Sequence, residues 1–300
     1  PDRFLHLLLR FNFPMSMLTW DVIALNGYLL LNLHICGYLI YCAYCGRRPS
    51  KSFYIPFVFI AIAWAISIHT VTAFLYVGLG GRPFWNSAII APRFLASAFA
   101  AGPAFIILTL QIVRHFTSHM VSDDALFTLR RIVQVALIIN LFLLLCELFT
   151  EFYADTHHIA SAQYLFLGLH GYNALVPWIW TALAMNVAAT TLFMLPLSRA
   201  LKTLNIACVL AIVGIWIEKG MGLIVPAFIP SPLGEIVEYS PTPHETMICL
   251  GIWAFGLLVY TILVRVSVPV LAGQVTYAPR WSRSRQEPAA PVAAPVPENT

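Results

Sequence analysis

Seven apolar stretches, each long enough to cross a bilayer, fill most of this 300-residue chain, near 16–44, 53–78, 86–113, 128–152, 173–196, 203–228 and 246–272. A transmembrane helix needs about 20 consecutive apolar residues. In hydrocarbon no water satisfies backbone N–H and C=O groups, so a spanning segment is a helix or part of a closed barrel. Barrel strands alternate apolar and polar residues in short segments, and these runs do not. The expected fold is all-α, a polytopic transmembrane helical bundle with seven spans visible. Composition agrees: 60% of residues are hydrophobic and 10% charged, against about 25% charged in a soluble domain.

The expected organisation is a transmembrane helical domain over 1–277 and a disordered Pro/Ala-rich tail over 278–300, ending PAAPVAAPVPENT. Such a tail has too little apolar surface to offset the entropy of ordering. Residues 1–13 read as an interfacial stretch or the tail of an earlier span. The segment 153–172 is a long polar-aromatic connection with room for a short interfacial helix. The segment 229–245 carries four prolines and three glutamates and reads as an irregular loop. The first residue is Pro and a span follows almost at once, which suggests a missing or processed N-terminal piece.

Loop charge sets the expected orientation. Arg47, Arg48, Lys51, Arg114, Arg130, Arg131, Arg199, Lys202, Arg280, Arg283 and Arg285 fall on one side, eleven in all, against Arg3, Arg10 and Arg82 on the other. Cytoplasmic loops are enriched in Lys and Arg. The C-terminus is therefore expected in the cytoplasm, and a bacterial-type inner (cytoplasmic) membrane is the expected location. Topology accounts for the net charge of +4, so no nucleic-acid partner is expected.

The ionisable residues within the spans carry the functional signal. Asp21, His69, Arg93, Glu147, Glu218 and Lys219 all fall in the outer half under this topology. A charge at membrane depth is costly and persists facing a bundle interior, a partner charge or a water-filled cavity. A polar pocket there suits a quinone, whose ring enters the membrane and whose two carbonyl oxygens need donors. Oxidising a quinol also needs a base, and a histidine such as His69 titrates near neutrality. Asp21 and Glu218 are candidates to pass the proton outward. His69, Thr70, Arg93 and Lys219 are candidate contacts to the cofactor.

Blander readings stand beside these. His69 alone fits a structural hydrogen bond between helices, and Arg93 fits a structural ion pair. Glu218 and Lys219 are adjacent, about 100° apart on a helix, and each is expected to find a partner on another helix. Glu147 and Glu151 are one turn apart and are expected to mark where their span emerges. Asp21 beside Trp20 fits an interfacial anchor. His34 in a Gly-containing stretch fits close helix packing. No haem is expected, because His34 and His69 do not supply the facing pairs that a membrane cytochrome uses. Cys42-Ala-Tyr-Cys45 has metal-ligand spacing without a second pair, so no metal is expected either. The last span holds Arg265, not the lysine a retinal Schiff base would require.

Specific strings sharpen the reading. Ser67-Ile68-His69-Thr70-Val71 precedes Arg82-Pro83-Phe84-Trp85-Asn86, followed by Ile89-Ile90-Ala91-Pro92-Arg93-Phe94-Leu95-Ala96-Ser97-Ala98. This block resembles the NrfD/PsrC family of quinone-interacting membrane subunits of polysulfide reductase and related respiratory complexes. Leu18-Thr19-Trp20-Asp21, Leu25-Asn26-Gly27-Tyr28 and Glu218-Lys219-Gly220-Met221-Gly222-Leu223 are most similar to its DsrP branch, the membrane subunit of the sulfite-reduction-associated DsrMKJOP complex. The resemblance covers about residues 14–275. It implies eight to ten spans in the whole protein and a site for menaquinone or ubiquinone near the outer face. It places a histidine equivalent to His69 close to the quinone. It also implies a ferredoxin-like iron–sulfur subunit on the outer face, with further membrane and cytochrome subunits of a redox complex linked to sulfur metabolism. The chain is then expected to exchange electrons with that partner while protons are taken up or released. The alternatives are a proton-conducting or pumping subunit and a passive membrane anchor.

Overall fold

A computed structural model describes residues 5–6, 9–116, 121–153 and 159–277; the expected disordered tail at 278–300 lies outside the described residues. Within them the regular elements are helices: α1 (Met17–Tyr44), α2 (Lys51–Val77), α3 (Ile90–Phe116), α4 (Asp123–Tyr153), α5 (Ile159–Phe166), α6 (Val176–Met194), α7 (Leu201–Lys219) and α8 (Pro243–Leu271). Seven crossings are long and apolar enough to span a bilayer, the sixth running Leu201–Phe228 through α7 and the irregular turns after it. The number of spans matches the sequence expectation. The short α5 lies in the connection between the fourth and fifth crossings.

The chain alternates direction, so the bundle has two distinct ends. The lower end gathers the basic connections. There the Tyr277 N–H donates to the Tyr44 carbonyl at 2.7 Å. Arg130 ties the start of α4 to the α6–α7 link, its Nε donating to Ser198 Oγ at 2.8 Å and its Nη2 to the Phe193 carbonyl at 2.7 Å. At the upper end the Glu238 carboxylate accepts from Tyr164 OH at 3.0 Å and from the Ala174 N–H at 2.9 Å. That pins the loop after α7 to α5 and to the entry of α6. Thr242 and Glu245 form a capping box that starts α8, with Pro243 in the first turn, where a missing N–H costs nothing.

Helices α3, α4, α6 and α7 form the packed core. Lipid tails are as apolar as leucine, so association depends on close packing and hydrogen bonds more than on hydrophobic transfer. Small residues permit that approach: Ala96, Ala100 and Ala104 recur every fourth position on α3 and are buried. The apolar core divides into two clusters. The lower one includes Ala100, Ile107, Val133, Leu137, Ala189, Phe193, Leu204 and Ala211. The upper one includes Ala73, Trp85, Ile90, Tyr164, Ile179 and Leu223. A buried polar layer from α3, α4, α6 and α7 separates them: Arg93, Ser97, Asn140, Glu147, Asn186 and Glu218. Helix α8 packs beside α1; of its residues, Val270 alone is buried.

Candidate functional site

Apart from Ser97, which donates to the Phe94 carbonyl of its own helix, the polar layer is one connected network. Glu218 lies at its centre, 1% exposed, beside Arg93 at 2%. Its Oε1 accepts from Arg93 Nη2 at 3.2 Å and from Lys219 Nζ at 2.8 Å. Its Oε2 accepts from Asn140 Nδ2 at 2.9 Å and Asn186 Nδ2 at 2.7 Å. Arg93 also pairs with Glu147 across the α3–α4 contact. Two cations and two carboxylates thus balance inside the bundle, which offsets part of the cost of removing each from water.

Local sequence makes room for this layer. Gly214 sits one turn before Glu218 on α7, and a Cβ there would lie 2.4 Å from Asn186 Oδ1. The missing side chain lets Asn186 reach across to Glu218. Beyond Lys219 the helix widens into a π turn over Gly220–Ile224, a feature found often at functional sites. The Trp85 indole N–H donates to the Leu223 carbonyl in that turn at 2.9 Å. Trp85 in turn packs edge-on against Tyr76 and Phe228, and Arg82 lies 4.6 Å over the Phe228 ring. The Arg-Pro-Phe-Trp string therefore serves as a clamp on the turn that follows the buried charges.

A cavity of about 660 Å³ adjoins the network between α2, α3, α7 and α8, lined by His69, Phe94, Phe105, Trp216, Lys219 and Trp253 among others. Its walls are chiefly aromatic and aliphatic, with His69 and Lys219 as the ionisable groups. Lys219 belongs to both regions. It lines the cavity and contacts Glu218, and its Nζ lies 3.4 Å from Asn140 Oδ1. His69 Nδ1 lies 3.2 Å from the Ala65 carbonyl one turn back; a protonated Nδ1 donating there turns Nε2 into the acceptor.

The sequence-predicted residues do not all gather here. His69 and Lys219 share the cavity, and Arg93 and Glu218 stand behind it in the network. Asp21 is separate: its Oδ1 accepts from Thr72 Oγ1 at 2.9 Å across the α1–α2 contact. Thr70 turns its hydroxyl to the Ile66 carbonyl of its own helix. His34 packs against Phe57 and Phe53 at centroid distances of 4.6 and 5.6 Å, as expected for close helix packing. Phe57 lies twelve residues before His69 on α2, about 18 Å along the axis at 1.5 Å per residue, so the two histidines occupy different depths.

Glu218 and Lys219 each find a partner on another helix, as expected: Glu218 with Arg93, Asn140 and Asn186, and Lys219 with Asn140; they also pair with each other. One expectation is overturned. Glu147 does not mark where its helix emerges; it is buried against Arg93. Sequence reasoning also passed over Asn140 and Asn186, whose signal was available: each is a lone amide in a long apolar run. Among the described residues no group of three or more His, Cys, Asp or Glu could hold a metal ion.

Comparison with known proteins follows the same lines. The family described as "Polysulphide reductase, NrfD" matches residues 1–228. A putative membrane subunit of dimethyl sulfoxide reductase from Halobacterium salinarum is 23% identical over 235 residues, covering 71% of this chain and 53% of the relative. The chain thus spans about half the length of the curated relative it matches.

Proposed function

Since the chain belongs to the NrfD polysulphide reductase family, we propose that it is the quinone-handling membrane subunit of a reductase-type redox complex. The quinone or quinol headgroup sits in the cavity between α2, α3, α7 and α8. One observation carries this reading: His69 and Lys219 line a single, largely apolar cavity, and Lys219 joins it to a buried chain of charges.

The residues present suit such a headgroup. Its ring needs flat apolar walls, which Phe94, Trp216 and Trp253 supply. Its carbonyl oxygens need donors, which the Lys219 ammonium and the His69 imidazole can provide. A bound quinol supplies two electrons and two protons as it becomes quinone. Both protons pass in turn through the His69 ring nitrogen that faces away from the Ala65 carbonyl, the first released before the second is taken. Lys219 holds the second oxygen, and its bond to Glu218 fixes its position. Protons leave toward the upper end, because the stretches of α3, α4, α6 and α7 below the polar layer (98–113, 132–139, 187–194 and 203–213) carry no ionisable side chain other than the Cys208 thiol. This favours one-sided proton exchange over pumping.

With the basic lower end in the cytoplasm, the cavity opens toward the outer leaflet of the cell membrane. Electrons pass to a ferredoxin-like iron–sulfur subunit seated on the upper end, over the loop that Glu238 anchors. The relative named as a dimethyl sulfoxide reductase membrane subunit supports a role in such a complex. The strings around Trp20-Asp21 and Glu218–Leu223 favour the sulfite-reduction branch. The test is binding of a fluorescent quinol analogue to the purified complex. His69→Ala and Lys219→Met are each expected to weaken it about tenfold or more, the scale of one charge-assisted hydrogen bond. Unchanged affinity in both variants would remove the assigned site.

A further inference from the structure

We propose that the lower half of α8 holds an anionic phospholipid, with its phosphate on Arg265 and one acyl chain in each of two flanking clefts. Arg265 lies six residues before the end of α8 at Leu271, about 9 Å along the axis at 1.5 Å per residue. Ion pairs among the described residues engage Arg93, Arg114 and Lys219, and none of them includes Arg265. A guanidinium this near a helix end reaches the interface, where anionic headgroups lie, and no described residue forms an ion pair with it.

The surroundings match a diacyl lipid. On one flank, a cleft of about 670 Å³ opens against α3, lined by Ile112, Val113, Tyr260, Val268 and Gln274. On the other, a cleft of about 540 Å³ opens against α1, lined by Gly37, Tyr41, Tyr44 and Val270. Arg265 and Pro269 border both. One cation at the meeting point of two largely apolar clefts suits one phosphate diester carrying two chains. Neighbouring charge favours a net anionic headgroup, since Arg47, Arg48, Arg114, Arg199 and Lys202 belong to the same end. Basic pockets between helices bind anionic headgroups in this way. The lipid would also supply packing that α8 lacks, with Val270 its single buried residue.

Native mass spectrometry of the purified complex, delipidated and then titrated with phosphatidylglycerol, phosphatidylcholine or inorganic phosphate, tests this. The wild type is expected to retain one phosphatidylglycerol in preference to phosphatidylcholine. Arg265→Gln should weaken that retention about fivefold to tenfold, the scale of one lost cation–phosphate contact. Quinol-analogue binding in the same variant should be unchanged, which separates this site from the cavity at His69. Equal retention of the two lipids, equal retention by Arg265→Gln, or displacement by inorganic phosphate at lipid concentrations would overturn the proposal.

Discussion

Glu218→Gln is the most informative single change, because the replacement keeps shape and alters only charge and one hydrogen-bonding atom. The carboxylate accepts from four donors, two on each oxygen. A glutamine offers one oxygen and one NH2 group. Either the NH2 faces the two asparagine amides, or it faces Arg93 and Lys219. Donors meet a donor in both cases, and the network gains an unbalanced positive charge. Removing one partner of a buried ion pair costs about 3–5 kcal/mol. Glu147→Gln removes less: Glu147 touches Arg93 through one oxygen, and Arg93 retains Glu218. That loss should stay below the one in Glu218→Gln, because Glu218 also accepts from Lys219, Asn140 and Asn186. Equilibrium unfolding in mixed detergent and dodecyl sulfate micelles measures both. The double variant Arg93→Gln/Glu218→Gln restores neutrality, so its cost should fall below the sum of the two single changes. A Glu218→Gln protein within about 1 kcal/mol of the wild type, below the range for a broken buried pair, would refute the argument, as would a larger loss in Glu147→Gln.

Three further outcomes follow from the same structure. Gly214→Ala would press a methyl group into Asn186 and is expected to cost about 1–3 kcal/mol, as overpacking does; unfolding in the same micelles measures it. Trp85→Phe removes the donor to the Leu223 carbonyl and should cost about 1–3 kcal/mol, with faster proteolysis of the loop after α7 as the readout. The Tyr164 phenol is pushed up to about 12 from its usual 10.0 by burial and by the Glu238 carboxylate. Its contact with Glu238 therefore contributes fully below pH 10 and is lost as the pH rises toward about 12. A phenolate absorbance titration should show one late-ionising tyrosine in the wild type that is missing in Tyr164→Phe.

Particular residues show which features could be read early. The spans were legible because the bilayer imposes one length and one composition on every crossing. Arg93, Glu218 and Lys219 stood out because a charge in an apolar run has few innocent explanations. Glu147 was misjudged because distance from a helix end does not tell which way a side chain faces. Here it faces inward across the α3–α4 contact, where Arg93 meets it. Asn140 and Asn186 were missed because an uncharged amide raises no alarm by itself; only the carboxylate it serves gives it meaning. Asp21 and Thr70 have the right depth and the wrong azimuth.

The order of residues alone settled that seven stretches among the described residues are helices able to cross a membrane, since periodicity, length and hydropathy act along a single segment. It also limited the ionisable groups at depth to a handful. Which of them meet depends on helix rotation and on which helices are neighbours, and neither is written in any one segment. Tertiary packing joined Arg93, Glu147, Glu218 and Lys219, left Asp21 with Thr72, and set His69 across a cavity from the lysine. The physical reason is that a bilayer fixes how deep a side chain lies, while only contact between helices fixes which way it points.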